Sequence, residues 1–124
     1  EGVRDIYFVP AIDFNAQTGV CTISGESFLE DTIEFYTPVL QWLEEYTKDI
    51  KRQLTLNIKL AYFNTNSARC LLDMLKLLKI FEYEGGKVRI NWYCYEDDIE
   101  MKETVEDFII DTGIIIELIE IKKE

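Results

Sequence analysis

The sequence predicts an α/β fold with α+β-like character: a single open mixed sheet of about five strands, opened by a β-hairpin, with helices mainly on one face. Three observations predict it. Strand-like and helix-like hydrophobic periods follow one another as strand, strand, helix, strand, helix, strand, helix, strand. The two central strand segments alternate cleanly. Leu54, Leu56, Ile58, Leu60 and Tyr62 stand against Thr55, Asn57 and Lys59; Val88, Ile90, Trp92 and Cys94 stand against Arg89, Asn91, Tyr93 and Tyr95. A sheet covered on both faces lacks such alternation. Strand–helix–strand units pair in parallel through right-handed crossovers, so strands added in one direction put the crossover helices on one face.

Each element has its own signal. Ile6 to Phe14 reads as a strand, and Pro10 makes it an edge or bulged one. Asn15-Ala16-Gln17-Thr18-Gly19 is a turn and Val20 to Ser24 the returning strand. Gly25-Glu26-Ser27 leads into a helix with a stripe of Phe35, Val39, Trp42 and Tyr46, flanked by Tyr36, Leu40 and Leu43. Pro38 fits a first turn or a kink, which would divide that helix in two. Leu54 to Phe63 is the clearest strand, and a helix from Ser67 to about Phe81 follows it. Gly85-Gly86 is a turn rather than a phosphate loop, because it follows a helix. Lys87 to Glu96 is the next strand, Glu96-Asp97-Asp98 opens a last helix through about Ile110, and Ile114 to Ile121 closes the chain as a strand.

A chain of 124 residues, without repeat or linker, is expected to be one domain spanning 1–124. That length buries a core without disulfide or metal. Hydrophobic residues at 48% and charged residues at 30% read as soluble and globular. A formal net charge of −11 argues against nucleic acid and anionic membrane as partners, since both need a basic footprint. Cys21, Cys70 and Cys94 lack disulfide or zinc spacing and read as free thiols of a reducing compartment, which points to the cytoplasm. With no histidine, His-activated nucleophiles and His-ligated metals are excluded. No window resembles a signal peptide or a spanning helix, so membrane insertion is not expected. The opening residue is Glu1 rather than methionine, an expectation of upstream processing or truncation.

The most informative segment is Leu60 to Leu78, LAYFNTNSARCLLDMLKLL. It sets Asn64, Thr65, Asn66 and Ser67 at a strand-to-helix junction. Unpaired N–H groups and the positive end of the macrodipole collect there, which suits an anion or a phosphate added to Thr65 or Ser67. Helix capping uses the same residue types, and both roles fit side by side: Asn66 or Ser67 as the cap, Thr65 exposed. Arg69 lies one turn on, within reach of such a phosphate. Leu71, Met74, Leu75 and Leu78 form a core stripe, while Cys70, Leu77 and Phe81 widen the apolar arc on a flank that reads as deeper burial or as partner surface. The sheet face bearing Lys59, Arg89 and Tyr93 is the other candidate surface. Glu96, Asp97, Asp98 and Glu100 lack the spacing of an EF-hand loop and suit a helix start; a small carboxylate or metal-dependent enzyme using Asp97 and Asp98 is the rival reading.

Four segments together resemble the SiaC family of bacterial regulatory phosphoproteins: ISGESF (Ile23 to Phe28), EFYTPVLQWLEEY (Glu34 to Tyr46), LAYFNTNSARCLLDML (Leu60 to Leu75) and VRINWYCYEDDIEM (Val88 to Met101). The third is the most specific. The resemblance implies a partner-switching adaptor, without catalysis or cofactor of its own. A Ser/Thr kinase with a histidine-kinase-like ATPase fold phosphorylates the Thr of the Asn-Thr motif, which is Thr65 here, and a PP2C-type phosphatase reverses it. The unphosphorylated form is then expected to bind and activate a diguanylate cyclase, raising cyclic di-GMP and so bearing on biofilm. The partner surface is expected around Asn64, Asn66, Ser67, Arg69, Cys70, Leu77 and Phe81. The logic is also similar to that of anti-sigma-factor antagonists with the STAS fold, the alternative output. The chain departs from the family pattern at Asn66, where Ser is usual, at Leu29 (Pro), Val9 (Thr) and Val105 (Gly). Thr65 is retained.

Overall fold

The computed structural model of the chain describes residues 8–122. Eight elements follow in order: β1 (Ala11–Asn15), β2 (Val20–Ser27), α1 (Thr32–Tyr46), β3 (Gln53–Phe63), α2 (Thr65–Tyr83), β4 (Lys87–Tyr95), α3 (Ile99–Thr112) and β5 (Glu117–Ile121). They form one five-stranded sheet in the order β1-β2-β3-β4-β5. The β1–β2 pair is antiparallel, and each later strand pairs in parallel with the one before it.

The hairpin is set by its turn. Asn15 Oδ1 accepts from the backbone N–H groups of Gln17 (2.8 Å) and Thr18 (3.2 Å), so the side chain stands in for a backbone turn. Gly19 then takes a left-handed φ of 75°, and a Cβ there would collide with the Gln53 carbonyl and the Tyr46 hydroxyl. The expected first strand is shorter than Ile6 to Phe14. It begins at Ala11, directly after Pro10, which lacks the N–H to pair. Ile6 and Tyr7 lie outside the described residues. Phe8 instead makes a reciprocal bridge with Phe28, at 2.9 and 3.0 Å.

Two expectations change between β2 and α1. Gly25-Glu26-Ser27 is not a helix lead-in; β2 continues through it, paired with β3. The helix starts at Thr32, capped by Asp31, whose Oδ1 accepts from Glu34 N–H at 3.1 Å. Pro38 does not split α1. It lies on the exposed side, where water reaches the carbonyl that its missing N–H leaves unpaired. The buried stripe is Tyr36, Val39, Leu43 and Tyr46, rotated slightly from the expected one, with Phe35, Leu40 and Trp42 half-buried beside it.

The inward faces of β2, β3 and β4 and the inner stripes of α1, α2 and α3 close one core, with Leu54, Leu56, Ile58, Leu60, Ile90 and Trp92 almost fully buried. The three helices share that side of the sheet. On the opposite face Asn91 Nδ2 donates to Asn57 Oδ1 at 2.9 Å, and the Lys59 ammonium lies 4.9 Å from the Tyr93 ring centre. All three cysteines are buried and free. Burial, with a smaller push from Asp13, raises the Cys21 thiol pKa to about 12; burial also raises those of Cys70 and Cys94.

Near its end β3 breaks its alternation. Gly25 pairs with Leu60 but Glu26 pairs with Tyr62, so Ala61 is an extra residue in β3. The period slips by one. Tyr62, expected on the inward face with Leu60, is turned out and 49% exposed. Phe63 is turned in, its ring 5.9 Å from that of Trp92. The later boundaries differ by a few residues. α2 runs two residues beyond the expected span at both ends, α3 begins at Ile99 behind its Asp98 cap, and β5 begins only at Glu117, with Ile114 and Ile116 buried ahead of it.

Candidate phosphoacceptor junction between β3 and α2

The bulge at Ala61 delivers the chain to α2 with Asn64 as the cap. Asn64 has extended backbone (φ −82°, ψ 176°), and its Oδ1 accepts from Ser67 N–H at 2.9 Å. Neither Asn66 nor Ser67 is the cap, as the sequence reading had it. Thr65 and Asn66 are the first two helical residues, and both are exposed. Their N–H groups belong to the helix start, where intrahelical acceptors are lacking.

Ser67 is turned the other way and fully buried. Its hydroxyl lies 2.8 Å from Ser27 Oγ and donates to the Ser27 carbonyl at 3.1 Å. Ser27 Oγ in turn lies 2.8 Å from the Tyr36 hydroxyl. Asn64 N–H also reaches the Ser27 carbonyl, at 3.0 Å. Three hydroxyls from β2, α1 and α2 thus meet under the junction, and the first turn of α2 is tied to the end of β2 from below. Burial raises the Tyr36 pKa, partly countered by its hydrogen bond to Ser27. Ser67 is therefore removed as a phosphoacceptor in the folded chain: it is enclosed, and its hydroxyl is committed. Thr65 is exposed on the outer side of the same turn.

The electrostatics agree with that division. The first turns of α1 and α3 carry Glu34 and Glu100, whereas α2 has no acidic residue in its first turn. A negative group on Thr65 would fill the position that stabilises a helix start. Arg69, exposed and one turn along, is placed for a phosphate at residue i to i+4 spacing.

The expected partner surface divides. Asn64 is half-buried, Asn66 and Arg69 are exposed, and Leu77 is half-buried. Ser67, Cys70 and Phe81 are only 0%, 6% and 2% exposed. Those three pack in the interior because the wide apolar arc of α2 is held between α1 and α3; of the flank, only Leu77 reaches the surface. Asp98, considered as a cation ligand or acid–base group, caps α3: its Oδ1 accepts from Met101 N–H at 3.1 Å. Among the described residues no three His, Cys, Asp or Glu side chains are grouped to hold a metal ion, and no helix is long and apolar enough to cross a membrane. Sequence reasoning missed Ser27 and Tyr36. Ser27 was hidden by the misplaced helix start, and no residue near Ala61 signals a bulge.

Comparison with known proteins gives the same frame. The chain matches the model of the SiaC family of regulatory phosphoproteins over residues 4–121. It is 31% identical over 99 residues to an uncharacterised protein of Pseudomonas aeruginosa strain UCBPP-PA14, covering 80% of this chain and 79% of the relative. Among solved structures it is similar to apo-SiaC of Pseudomonas aeruginosa, at 28% identity and a TM-score of 0.83, covering 94% of this chain and 95% of the other. It is also similar to Pseudomonas aeruginosa SiaC in complex with the diguanylate cyclase SiaD, which that SiaC activates. There the identity is 27% and the TM-score 0.86, covering 94% of this chain and all of the other. A family match across nearly the whole chain, with a relative at 31% identity and the same fold, shows that this chain belongs to the SiaC family of regulatory phosphoproteins.

Proposed function

We propose that this chain is a non-enzymatic adaptor of a cytoplasmic phosphorylation switch, with Thr65 as acceptor and a diguanylate cyclase as output. The observation that carries the reading is the division at the start of α2. Ser67 is locked beneath the turn, while Thr65 stands exposed as the first helical residue, beside a cap that needs no rearrangement to present it. Membership of a regulatory phosphoprotein family and likeness to a SiaC that activates a diguanylate cyclase support the output. In this reading the unphosphorylated chain binds and activates the cyclase. A Ser/Thr kinase adds the phosphate and a PP2C-type phosphatase removes it.

The phosphate acts on the surface rather than on the fold. It carries about −1.5 to −2 charges, and a helix start favours such a group by only about 0.3–1 kcal/mol. A partner packed over Asn64, Thr65 and Asn66 would have to strip water from it, which costs more than this unless a cation is supplied. The direct test is to incubate the chain with its cognate Ser/Thr kinase and ATP, then map phosphate by mass spectrometry. Phosphate on Thr65 is the expected result; phosphate on another residue with Thr65 unmodified contradicts the assignment.

A further inference from the structure

The adaptor reading makes no use of the open face of the sheet, opposite the three helices. The outward side chains of β1 to β5 lie on it, and the register sets Tyr93 beside Ile119 and Tyr95 beside Ile121. Tyr95 and Ile121 are each 42% exposed, and with Lys59 and Tyr93 they border a shallow cleft of about 100 Å³. The charges on this face are balanced. Lys59, Lys87 and Arg89 stand against Asp13, Glu26 and Glu117, on a chain whose formal net charge is −11. The whole excess of negative charge therefore lies elsewhere on the molecule. Among the described residues none of the six is in an ion pair, so both signs are left for something that docks.

We propose that this face is where two copies of the chain meet, sheet against sheet. Two chains that each carry the excess repel one another through any surface that bears it; the neutral face is the one they can share. A basic partner would instead be drawn to the acidic remainder. Equal numbers of cations and carboxylates make the face complementary to itself, as a two-fold interface requires. Its apolar part, Tyr93, Tyr95, Ile119 and Ile121, supplies the dry centre. The size is sufficient. Five strands about 4.8 Å apart, each at least 5 residues long at about 3.3 Å per residue, cover about 400 Å² in plan on each copy. Side-chain relief raises that to the lower range of specific interfaces, about 1,000–1,200 Å² in total. Such an area suits a dimer that forms as concentration rises. The helix α2 lies on the other side of the sheet, so the inference goes beyond the adaptor reading and does not depend on it.

The test is the molar mass of the whole chain, followed by sedimentation from about 10 μM to about 1 mM. A monomer–dimer equilibrium is expected; a monomer throughout overturns the proposal. The double variant Lys59→Glu/Arg89→Glu makes the face acidic and weakens dimerisation by about tenfold or more, while Lys51→Glu/Lys76→Glu, the same change of charge at exposed positions off the face, weakens it by less than about threefold. Equal losses in the two double variants overturn the proposal, since they reduce it to net charge. Asp13→Lys/Glu117→Lys makes the face basic and also dimerises poorly alone, but it pairs with Lys59→Glu/Arg89→Glu when the two are mixed. Failure of that mixed pair to form, with both variants folded, overturns it too. Amide shifts of the wild-type chain between dilute and concentrated samples keep the test independent of variant folding. They fall on the outward residues of β3, β4 and β5; shifts confined to the helices contradict the site.

Discussion

At the scale of single residues, neighbouring polar side chains of one tetrapeptide have separate duties. Asn64 caps, Thr65 is presented, and Ser67 anchors. Asn64→Ala removes the acceptor of Ser67 N–H and should cost about 1 kcal/mol, read as a fall in Tm of roughly 4 °C for a chain of this size. Ser67→Ala breaks the hydroxyl cluster under the turn and should cost about 1–2 kcal/mol, because it strips a buried contact from Ser27. Thr65→Ala touches neither duty, so its Tm should stay within about 1 °C of wild type while the proposed phosphoacceptor is lost. Thr32→Val runs the other way. It deletes an unpartnered buried hydroxyl at nearly constant volume, and denaturant titration should show a gain of up to about 1 kcal/mol.

At the scale of elements, the succession of strands and helices along the chain and the inward face of the two central strands were legible in the sequence because they rest on periodicity, whereas the order of strands in the sheet was not. The alternation of Leu54 to Leu60 and of Val88 to Cys94 needed no tertiary information. Boundaries were legible only to within a few residues, because β2's extension over Gly25-Glu26-Ser27 depends on pairing with β3. The extra residue at Ala61 was not legible at all: it follows from how β2 and β3 run out of register, and Ala is compatible with either a regular strand or a bulge. That one residue turns Tyr62 out and Phe63 in, and so aims the junction. The candidate site was half legible for the same reason. Thr65 and Arg69 could be read from local spacing, but Ser27 and Tyr36 are brought to Ser67 by the packing of three elements. Turn chemistry gives the element-scale prediction. Gly19→Ala meets both the left-handed φ and the Gln53 carbonyl, so it should destabilise by more than about 1 kcal/mol, visible as a lower urea midpoint.

At the scale of the whole molecule, the helix-covered side of the sheet is dry and its ionisable members resist charging. Cys21 holds its proton up to about pH 12 against an ordinary 9.0, because burial disfavours the thiolate; Cys70, Cys94 and Tyr36 are shifted the same way. The folded chain therefore binds more protons than the unfolded chain above about pH 9. Their stabilisation is complete below that pH and declines as pH rises towards 12, by at most about 1.4 kcal/mol per pH unit for each group. Urea midpoints measured from about pH 8 to pH 11 should fall, and the fall should be shallower in Cys21→Ala. Below pH 9 these thiols should react slowly with a disulfide reagent until the chain unfolds. Thr65 lies outside this core at an exposed helix start, so the proposed phosphate is expected to change the partner surface and leave the fold intact, which is the centre of the account. The most direct measurement of it is GTP turnover by a diguanylate cyclase of the same organism that the chain captures, assayed with the purified chain before and after stoichiometric phosphorylation. Stimulation by the unmodified chain, abolished by phosphate on Thr65 and unaffected by kinase treatment of Thr65→Ala, is the predicted result; equal stimulation by the phosphorylated chain, or none by the unmodified one, would contradict it.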